Sequence, residues 1–135
     1  MSDGDVDVLL GAGDLFDGQP VEDLIRGFLS APGHHCLVAF EDGHPVGFVT
    51  GIEIRHPDKA TEMLLYELGV DARWRRRGIG RALTEALRDL AARRGMRGMW
   101  VLTEPDNDGA LATYRRSGAD VEEASVVLEW RFDHT

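Results

Sequence analysis

The spacing of apolar residues along the chain predicts one helix in the first quarter, followed by strands. Between Val21 and Leu29 the apolar side chains recur at helical spacing, and the Ala-Pro-Gly sequence at 31–33 ends that helix. The preceding stretch, 5–16, carries a similar but patchy stripe, which Gly11 and Gly13 interrupt. The secondary structure of that first stretch is therefore ambiguous.

Three strands are predicted next, at Cys36–Glu41, Val46–Ile54 and Met63–Val70. An Asp-Gly pair between the first two is a hairpin turn signal, and the third strand is expected to lie antiparallel to the second. The second strand contains Gly47 and Gly51, which indicate bulges or places where another part of the backbone approaches closely.

The second half of the chain predicts a helix, a strand, a short helix and a last strand. Ile79–Arg94 has one apolar and one charged face and ends at a glycine. A helical crossover returns the chain in parallel, so the strand Gly98–Thr103 is expected to lie parallel to Met63–Val70. A short helix at Ala110–Arg116 and a strand at Ser125–Phe132 complete the pattern.

The composition predicts a single globular domain over residues 1–135. No apolar run is long enough to span a membrane, and the acidic N-terminus does not resemble a signal peptide, so a cytoplasmic protein is expected. The net charge of −9 is uneven, because nine of the fifteen basic residues lie between Arg73 and Arg97 beside only two acids. That field suits an anionic ligand at the basic segment and a cationic ligand elsewhere, although acidity alone can serve solubility.

The turn before the long helix, Arg75–Gly80, has the composition of an anion site. The first N–H groups of a helix have no intrahelical partner and lie at the positive end of its dipole. Two glycines allow a tight turn, and the arginines suit phosphate oxygens. The turn lacks the signatures of a dinucleotide fingerprint or a P-loop, so an ordinary strand–helix turn remains the alternative. Nucleic acid is not expected, because the rest of the chain is acidic.

The order of these motifs resembles the GCN5-related N-acetyltransferase (GNAT) superfamily. A strand, Arg75-x-x-Gly-x-Gly, a helix, a second strand and Asn107-x-x-Ala-x-x-x-Tyr occur in the family's order over about residues 63–118. The stretch Leu65–Val70 and the short chain are most similar to the aminoglycoside 3-N-acetyltransferase group. The resemblance implies the α/β acyl-CoA N-acyltransferase fold, with a mixed, mostly antiparallel sheet, a parallel βαβ unit and helices on both faces. Only a few residues precede Val6, so the family's first strand is expected to be missing or vestigial.

The resemblance also implies acetyl-CoA as co-substrate. The N–H groups of residues 76–81 would hold its pyrophosphate, and the main chain of Leu68 and Val70 would pair with its pantetheine arm where two parallel strands splay apart. Asn107 would hold the pantetheine amides, and it can also cap a helix. The cofactor-binding residues implied in this way are Leu68, Gly69, Val70, Arg75, Arg76, Arg77, Gly78, Ile79, Gly80, Arg81, Asn107 and Tyr114.

Two side chains are expected to carry the chemistry. An alkylammonium group with a pKa near ~10 must lose a proton before its nitrogen can attack. Glu67, at the end of its strand, is a candidate general base, and binding of the substrate's positive charge is an equally weighted role for it. Tyr114 is implied as the group that protonates or hydrogen-bonds the leaving thiolate, although a helix tyrosine often only packs. The predicted substrate-binding acids are Glu67, Asp106 and Glu129, with Glu53 and Glu62 as less specific candidates.

The expected reaction is direct acetyl transfer within a ternary complex to a cationic amine, for which an aminoglycoside is the preferred acceptor. A protein or peptide amine, a polyamine, and a non-catalytic acyl-CoA-binding module are the alternatives. No metal is expected, because the histidines lack ligand spacing, and Cys36 has no visible partner that would make it an acyl carrier. A homodimer is implied by the resemblance, with no interface indicated by the sequence.

Overall fold

The computed structural model describes residues 6–16, 18–104, 106–121 and 126–132. These residues form helices and strands in the predicted alternation, with two short 3₁₀ turns at Gly13–Leu15 and Ala72–Trp74. The helices are α1 (Val6–Leu10), α2 (Glu22–Ser30), α3 (Ile79–Arg93) and α4 (Asp108–Arg116), and the strands are β1 (His34–Glu41), β2 (His44–Ile54), β3 (Glu62–Val70) and β4 (Gly98–Trp100).

The four strands form one sheet in the order β1-β2-β3-β4. The pairs β1–β2 and β2–β3 are antiparallel, and β3–β4 is parallel across the α3 crossover, so the predicted mixed sheet with a βαβ unit is confirmed. Asp42 and Gly43 have φ angles of 48° and 79° at the β1–β2 turn. Two left-handed central residues match the twist of a tight hairpin, as the Asp-Gly signal predicted.

Helices cover both faces of the sheet, with a cluster of buried side chains under each. Leu37 and Ala39 of β1 pack with the cluster beneath α3, whereas Cys36 and Val38 pack with the cluster beneath α1 and α2. Alternate residues of a strand point to opposite faces, so β1 separates two helical layers. The larger cluster joins Val49, Met63 and Leu65 of the sheet to Leu83, Leu87 and Ala91 of α3.

The two glycines of β2 let α3 approach the sheet closely. A Cβ added at Gly51 would lie 2.8 Å from the sulfur of Met63 and 3.0 Å from Leu87, and one at Gly47 would lie 3.0 Å from Ile79. Gly51 also borders a register shift in the β2–β3 pairing. The close contact expected at these glycines is therefore confirmed, whereas the extra residue at the register shift beside Gly51 lies in β3 and not in β2.

Two predicted strands differ from the structure. β4 ends at Trp100 and not at the predicted Thr103, because the chain after Trp100 no longer pairs with β3. The strand predicted at Ser125–Phe132 is wrong for residues 126–132, which lie in no strand, while Ser125 lies outside the described residues. Apolar residues do alternate along this segment, but a strand also needs the edge of a neighbouring strand with which its backbone can pair.

Candidate active site

The parallel strands β3 and β4 separate after a short run of pairing. They pair over three residues of each, from Glu62 with Gly98 to Leu64 with Trp100. β3 then continues to Val70, so within the described chain its residues 65–70 have no strand partner on the β4 side. An edge of this kind presents main-chain N–H and C=O groups to which an extended, amide-containing ligand can pair. The separation is the splay that the resemblance implied.

A bulge lies in β3 where the strands separate. Thr50 pairs with Glu67, but its neighbour Gly51 pairs with Leu65, so Tyr66 is an extra residue in β3. The backbone N–H of Glu67 donates to the Thr50 hydroxyl oxygen at 3.0 Å. Thr50 is 5% exposed, whereas Tyr66 and Glu67 are exposed. The bulge therefore directs both Tyr66 and Glu67 toward solvent. The buried Thr50 of β2 holds the β3 backbone in place at this point.

The loop that follows β3 turns sharply into α3. Arg76 and Gly78 adopt left-handed backbone angles, with φ of 64° and 81°. The first residue of the helix to find a backbone acceptor is Ala82, whose N–H donates to the Gly78 carbonyl at 3.0 Å. The N–H groups of the preceding first turn have no such acceptor by helix geometry, so they and the helix dipole favour a bound anion.

Several arginines of this loop already have partners. The Asp71 carboxylate accepts two side-chain bonds from Arg73, at 3.2 and 3.0 Å, and these bonds hold the pKa of Asp71 below its ordinary value. Arg75 donates to the Val70 carbonyl at 3.3 Å, and the Arg77 guanidinium lies 4.7 Å from the centre of the Trp74 ring. These contacts are exposed and weak enough to exchange for a phosphate.

A cavity of about 850 Å³ lies at this end of the sheet. Its lining includes five residues of the sequence-predicted site, Glu67, Leu68, Gly69, Val70 and Arg75, together with Asp71, Ala72 and Arg73. The structure therefore brings the candidate general base and the open strand edge of β3 to one surface. It also places there Arg75, the first residue of the predicted anion loop.

Sequence reasoning missed the opposite wall of this cavity. Leu15 and Phe16 line it from the N-terminal stretch, together with Phe48 of β2, and the two phenylalanine ring centres are 4.5 Å apart. Gly69 makes room for this wall, because an added Cβ would lie 2.6 Å from the Phe48 ring and 3.0 Å from the Leu15 carbonyl. In the sequence, this wall was indicated only by the apolar pair Leu15-Phe16, which lies between turn residues in a stretch with no clear hydrophobic pattern.

Tyr114 lies on α4 and does not line the cavity that contains Glu67. It lines a second groove of about 880 Å³ beside β4, with Leu65 of β3 and Thr84 of α3. Burial raises the pKa of the Tyr114 phenol above its ordinary value. The phenol is therefore protonated at neutral pH and can donate a proton or a hydrogen bond.

Asn107 occupies the N-terminal cap of α4, where its side-chain oxygen accepts from the Ala110 N–H at 3.1 Å. The capping role that the sequence left open is therefore confirmed. That bond uses only the amide oxygen, so the amide NH₂ group is still available as a donor.

The other predicted substrate-binding acids do not line the cavity. Asp106 is exposed beside the start of α4, and Glu129 forms an exposed ion pair with Arg131 at 3.2 Å. Glu53 and Glu62 lie at the far end of β2 and β3, where they approach His35 at 2.6 Å and His56 at 2.7 Å. Five residues of strand separate Glu62 from Glu67, which is roughly 16 Å.

Metal clusters and membrane-spanning helices are both absent from the described residues. No group of three or more His, Cys, Asp or Glu side chains in these ranges could hold a metal ion. No helix of the described chain combines the length and the apolar character needed to cross a membrane.

Residues 12–119 match the profile of the family described as Acetyltransferase (GNAT) family. The fold is similar to the crystal structure of an aminoglycoside acetyltransferase, meta-AAC0020, from an uncultured soil metagenomic sample in complex with sisomicin. That likeness has a TM-score of 0.89 and 21% identity, over 98% of this chain and 93% of that one. The aminoglycoside acetyltransferase AAC(6')-Iy with a CoA bisubstrate analogue has a TM-score of 0.79 and 21% identity, covering 98% of this chain and 95% of that one.

Curated relatives match part of the chain at higher identity. L-2,4-diaminobutyric acid acetyltransferase of Streptomyces coelicolor is 35% identical over 60% of this chain and 51% of its own length. N-alpha-acetyltransferase RimI of Mycobacterium tuberculosis is 39% identical over 67% of this chain and 54% of its own length. The matches thus span about half the length of these relatives.

Proposed function

Since the chain belongs to the Acetyltransferase (GNAT) family, we propose that it transfers the acetyl group of acetyl-CoA directly to a primary amine of a cationic small molecule. The single observation that carries this proposal is the cavity in which Glu67 lies beside the open edge of β3 and the start of the anion loop. An acyl donor and an amine could meet there with a carboxylate at hand.

The residues around the cavity fit an acetyl-CoA molecule. The first-turn N–H groups of α3 would hold its pyrophosphate, and Arg75, Arg76 and Arg77 would add charge. Gly80 packs against this strand end, because an added Cβ would be in ordinary van der Waals contact with Thr113, Leu68 and Val70 at 3.7–3.8 Å. The main chain of Leu68 and Val70 would pair with the pantetheine amides, and Asn107 would donate to them. When bound, acetyl-CoA supplies the activated thioester carbonyl.

Glu67 would take the proton that the ammonium must lose. Its position at the bulge places the carboxylate on the solvent side of β3, at the cavity wall. General base catalysis of this kind contributes on the order of 10²–10⁴ in rate. The same carboxylate would first attract the positive charge of the acceptor. Glu67 would therefore serve both as substrate binder and as general base, the two roles predicted for it from the sequence.

Tyr114 would donate to the departing sulfur. Its raised pKa keeps the phenol protonated at the pH at which an amine is acetylated. Leu65 borders the groove of Tyr114 and Glu67 borders the main cavity, so both sites adjoin the same stretch of β3. A thioester that follows the open edge of β3 would lie between the two groups.

An aminoglycoside is the proposed acceptor, with 3-N as the acetylated position. Two structural neighbours are aminoglycoside acetyltransferases, and the net charge of −9 favours a polycationic ligand. The exposed Tyr66 and the Phe16 wall offer aromatic surface to a sugar ring. Asp106 and Glu129 would contact the acceptor's outer amines. We also propose that the working form is a homodimer.

A smaller amine is a second candidate acceptor. The S. coelicolor relative is named for an amino acid that carries two amines, and the M. tuberculosis relative is an N-alpha-acetyltransferase. Both relatives are more similar in sequence than the structural neighbours, although over part of the chain. A diamine or a peptide N-terminus would use the same Glu67 and the same loop.

Thiol release from acetyl-CoA tests these acceptors directly. The panel comprises aminoglycosides, L-2,4-diaminobutyric acid, polyamines and short peptides, with NMR of the product to identify the acetylated nitrogen. Release with aminoglycosides alone would support the preferred acceptor, and release with another class would replace it. Binding of acetyl-CoA without release in any arm would favour the non-catalytic module. Failure to bind acetyl-CoA would overturn the role of the loop.

A further inference from the structure

The last turn of α4 is joined to α3 by an arginine to which the proposed reaction gives no role. Arg88 of α3 donates from its guanidinium to the Ser117 carbonyl oxygen at 2.7 Å, across 29 residues of sequence. Ser117 is the C-cap of α4. The last carbonyls of a helix have no intrahelical partner and lie at the negative end of its dipole, so an arginine there supplies both a donor and a favourable charge.

The C-terminal end of α4 is its anchored end. None of the helix residues, 108–116, is buried. Asn107 caps the first turn by a bond to Ala110 of the same helix, and that bond does not attach the helix to the rest of the fold. Ser117, by contrast, is 5% exposed, and its hydroxyl donates to the Thr113 carbonyl at 3.0 Å. The Arg88 bond therefore acts where α4 meets the body of the protein.

Tyr114 lies one helical turn before that anchor. The backbone N–H groups of Ser117 and Ala119 both donate to the Tyr114 carbonyl oxygen, each at 3.1 Å. Arg88, Tyr114 and Ser117 also line the same groove. A shift of the end of α4 would therefore move the backbone of Tyr114 and, with it, the phenol in that groove.

The guanidinium of Arg88 is itself held in one orientation. Its Nε and Nη2 atoms donate to one carboxylate oxygen of Asp89, at 3.2 and 3.1 Å, while Nη1 donates to Ser117. These bonds engage all three nitrogens of the planar group, which fixes the direction of the bond to α4.

We propose that Arg88 is a positioning residue for the leaving-group step, because by holding the end of α4 against α3 it keeps the Tyr114 phenol in the groove beside the open edge of β3. This inference rests on the proposed acetyl transfer and adds to it a residue that acts through Tyr114. Its loss should lower kcat and leave KM nearly unchanged, since ligand binding does not depend on the phenol. A misplacement of about 1 Å can cost on the order of 10²-fold in rate, so a fall of about tenfold in kcat is expected for Arg88→Gln.

A double-substitution cycle tests whether Arg88 acts through Tyr114. Tyr114→Phe alone should lower kcat on the order of 10²-fold. Arg88→Gln should then have no further effect, because the group that it positions is gone. Arg88→Lys keeps a charged donor and should recover most of the parent kcat. Arg93→Gln removes the same charge from an exposed position of α3 and is the matched control, expected to keep the parent kcat.

Three results of that cycle would overturn the proposal. The first is a loss in Arg88→Gln that is equally large with and without the Tyr114 phenol. The second is an Arg93→Gln chain that loses as much kcat as Arg88→Gln. The third is a Tyr114→Phe chain with the parent kcat, which would remove the role of Tyr114 as well.

A second measurement needs no turnover. The chain has two tyrosines, so a Tyr66→Phe background leaves Tyr114 as its one phenol, whose titration can be followed by carbon NMR of labelled tyrosine. Burial raises the pKa of Tyr114, so a loosened α4 in Arg88→Gln should bring that pKa down toward its ordinary value. Loss of the Arg88 charge alone would raise the pKa, so the direction of the change separates a moved helix from a missing charge.

The two readouts separate this inference from the proposed function. If the parent chain transfers no acetyl group to any amine, the proposed function fails, and the titration still decides whether Arg88 holds Tyr114 in place. If the parent is active and Arg88→Gln lowers neither kcat nor the pKa of Tyr114, the inference alone fails. Circular dichroism establishes that the variants are folded, and Arg88→Met, which keeps the apolar part of the side chain, replaces Arg88→Gln if that variant is not.

Discussion

The two ends of the β2–β3 hairpin carry the same residue type in opposite surroundings. At the far end, the side chain of Glu53 is 10% exposed, and its carboxylate lies 2.6 Å from His35 and 3.4 Å from Arg94. At the site end, Glu67 is exposed at a bulge and borders a cavity of about 850 Å³. A carboxylate enclosed by the protein's own donors stabilises the fold, whereas one at a cavity wall can serve a ligand. The surroundings, and not the residue type, separate the two roles.

The largest expected effect comes from removing the carboxylate at the site end. Glu67→Gln keeps the side-chain volume but removes the proton acceptor, so kcat/KM for the preferred amine should fall on the order of 10²–10⁴-fold. The melting temperature should hardly change, because the side chain is exposed. Glu53→Gln at the far end is the matched control. A kcat/KM that falls equally in both variants would remove the distinction between the two ends.

The pH profile of that variant separates the two roles of Glu67. If the carboxylate is a general base, kcat/KM in the parent chain should rise with pH along its acidic limb, and Glu67→Gln should abolish that limb. If it only binds positive charge, the substitution should raise KM with little change in kcat.

A second prediction concerns the packing of the cavity wall at the site end. Gly69→Ala would place a Cβ 2.6 Å from the Phe48 ring and 3.0 Å from the Leu15 carbonyl. Overpacking against a ring and a backbone oxygen should lower the free energy of unfolding by about 3 kcal/mol. Gly80→Ala, whose added Cβ meets only ordinary contacts, is the control. Denaturant melts measure both, and a Gly69→Ala chain as stable as the parent would contradict this account of the wall.

Parts of the site that are local in sequence were predictable, and parts assembled from distant segments were not. The sharp turn at Arg75–Gly80 follows from the sequence, because a strand end, glycines and a helix start are adjacent in the chain, and its role as an anion site stays a prediction. The wall formed by Leu15 and Phe16 with Phe48 depends on a stretch without clear periodicity packing across the sheet. The same limit explains the wrong strand at 126–132, since alternation indicates which face is apolar but not which edge accepts it.

A third prediction tests the far end. Glu53→Gln removes the charge beside His35, Arg55 and Arg94 while keeping the shape of the side chain. Hydrogen bonds to a charged and largely buried group contribute more than neutral ones, so the free energy of unfolding should fall by about 2 kcal/mol. Activity per folded molecule should stay at the parent level, because the site end lies several residues away along the sheet. Thermal melts and initial rates on the same preparation measure the two effects, and a loss of rate without a loss of stability would contradict the assignment.

The smallest expected effect concerns the bulge that holds Glu67 at the site end. Thr50 is buried, and its hydroxyl accepts the Glu67 N–H at 3.0 Å, where the β2–β3 pairing shifts register. Thr50→Val leaves that N–H without its acceptor and should lower the free energy of unfolding by about 1 kcal/mol. It should also lower kcat, because the N–H that fixes the backbone under the Glu67 carboxylate is released. Thr50→Ser restores the hydroxyl, so it should recover kcat even where the missing methyl group leaves the chain less stable. If serine recovers nothing and valine alters stability alone, the bulge only packs the hairpin and does not position Glu67.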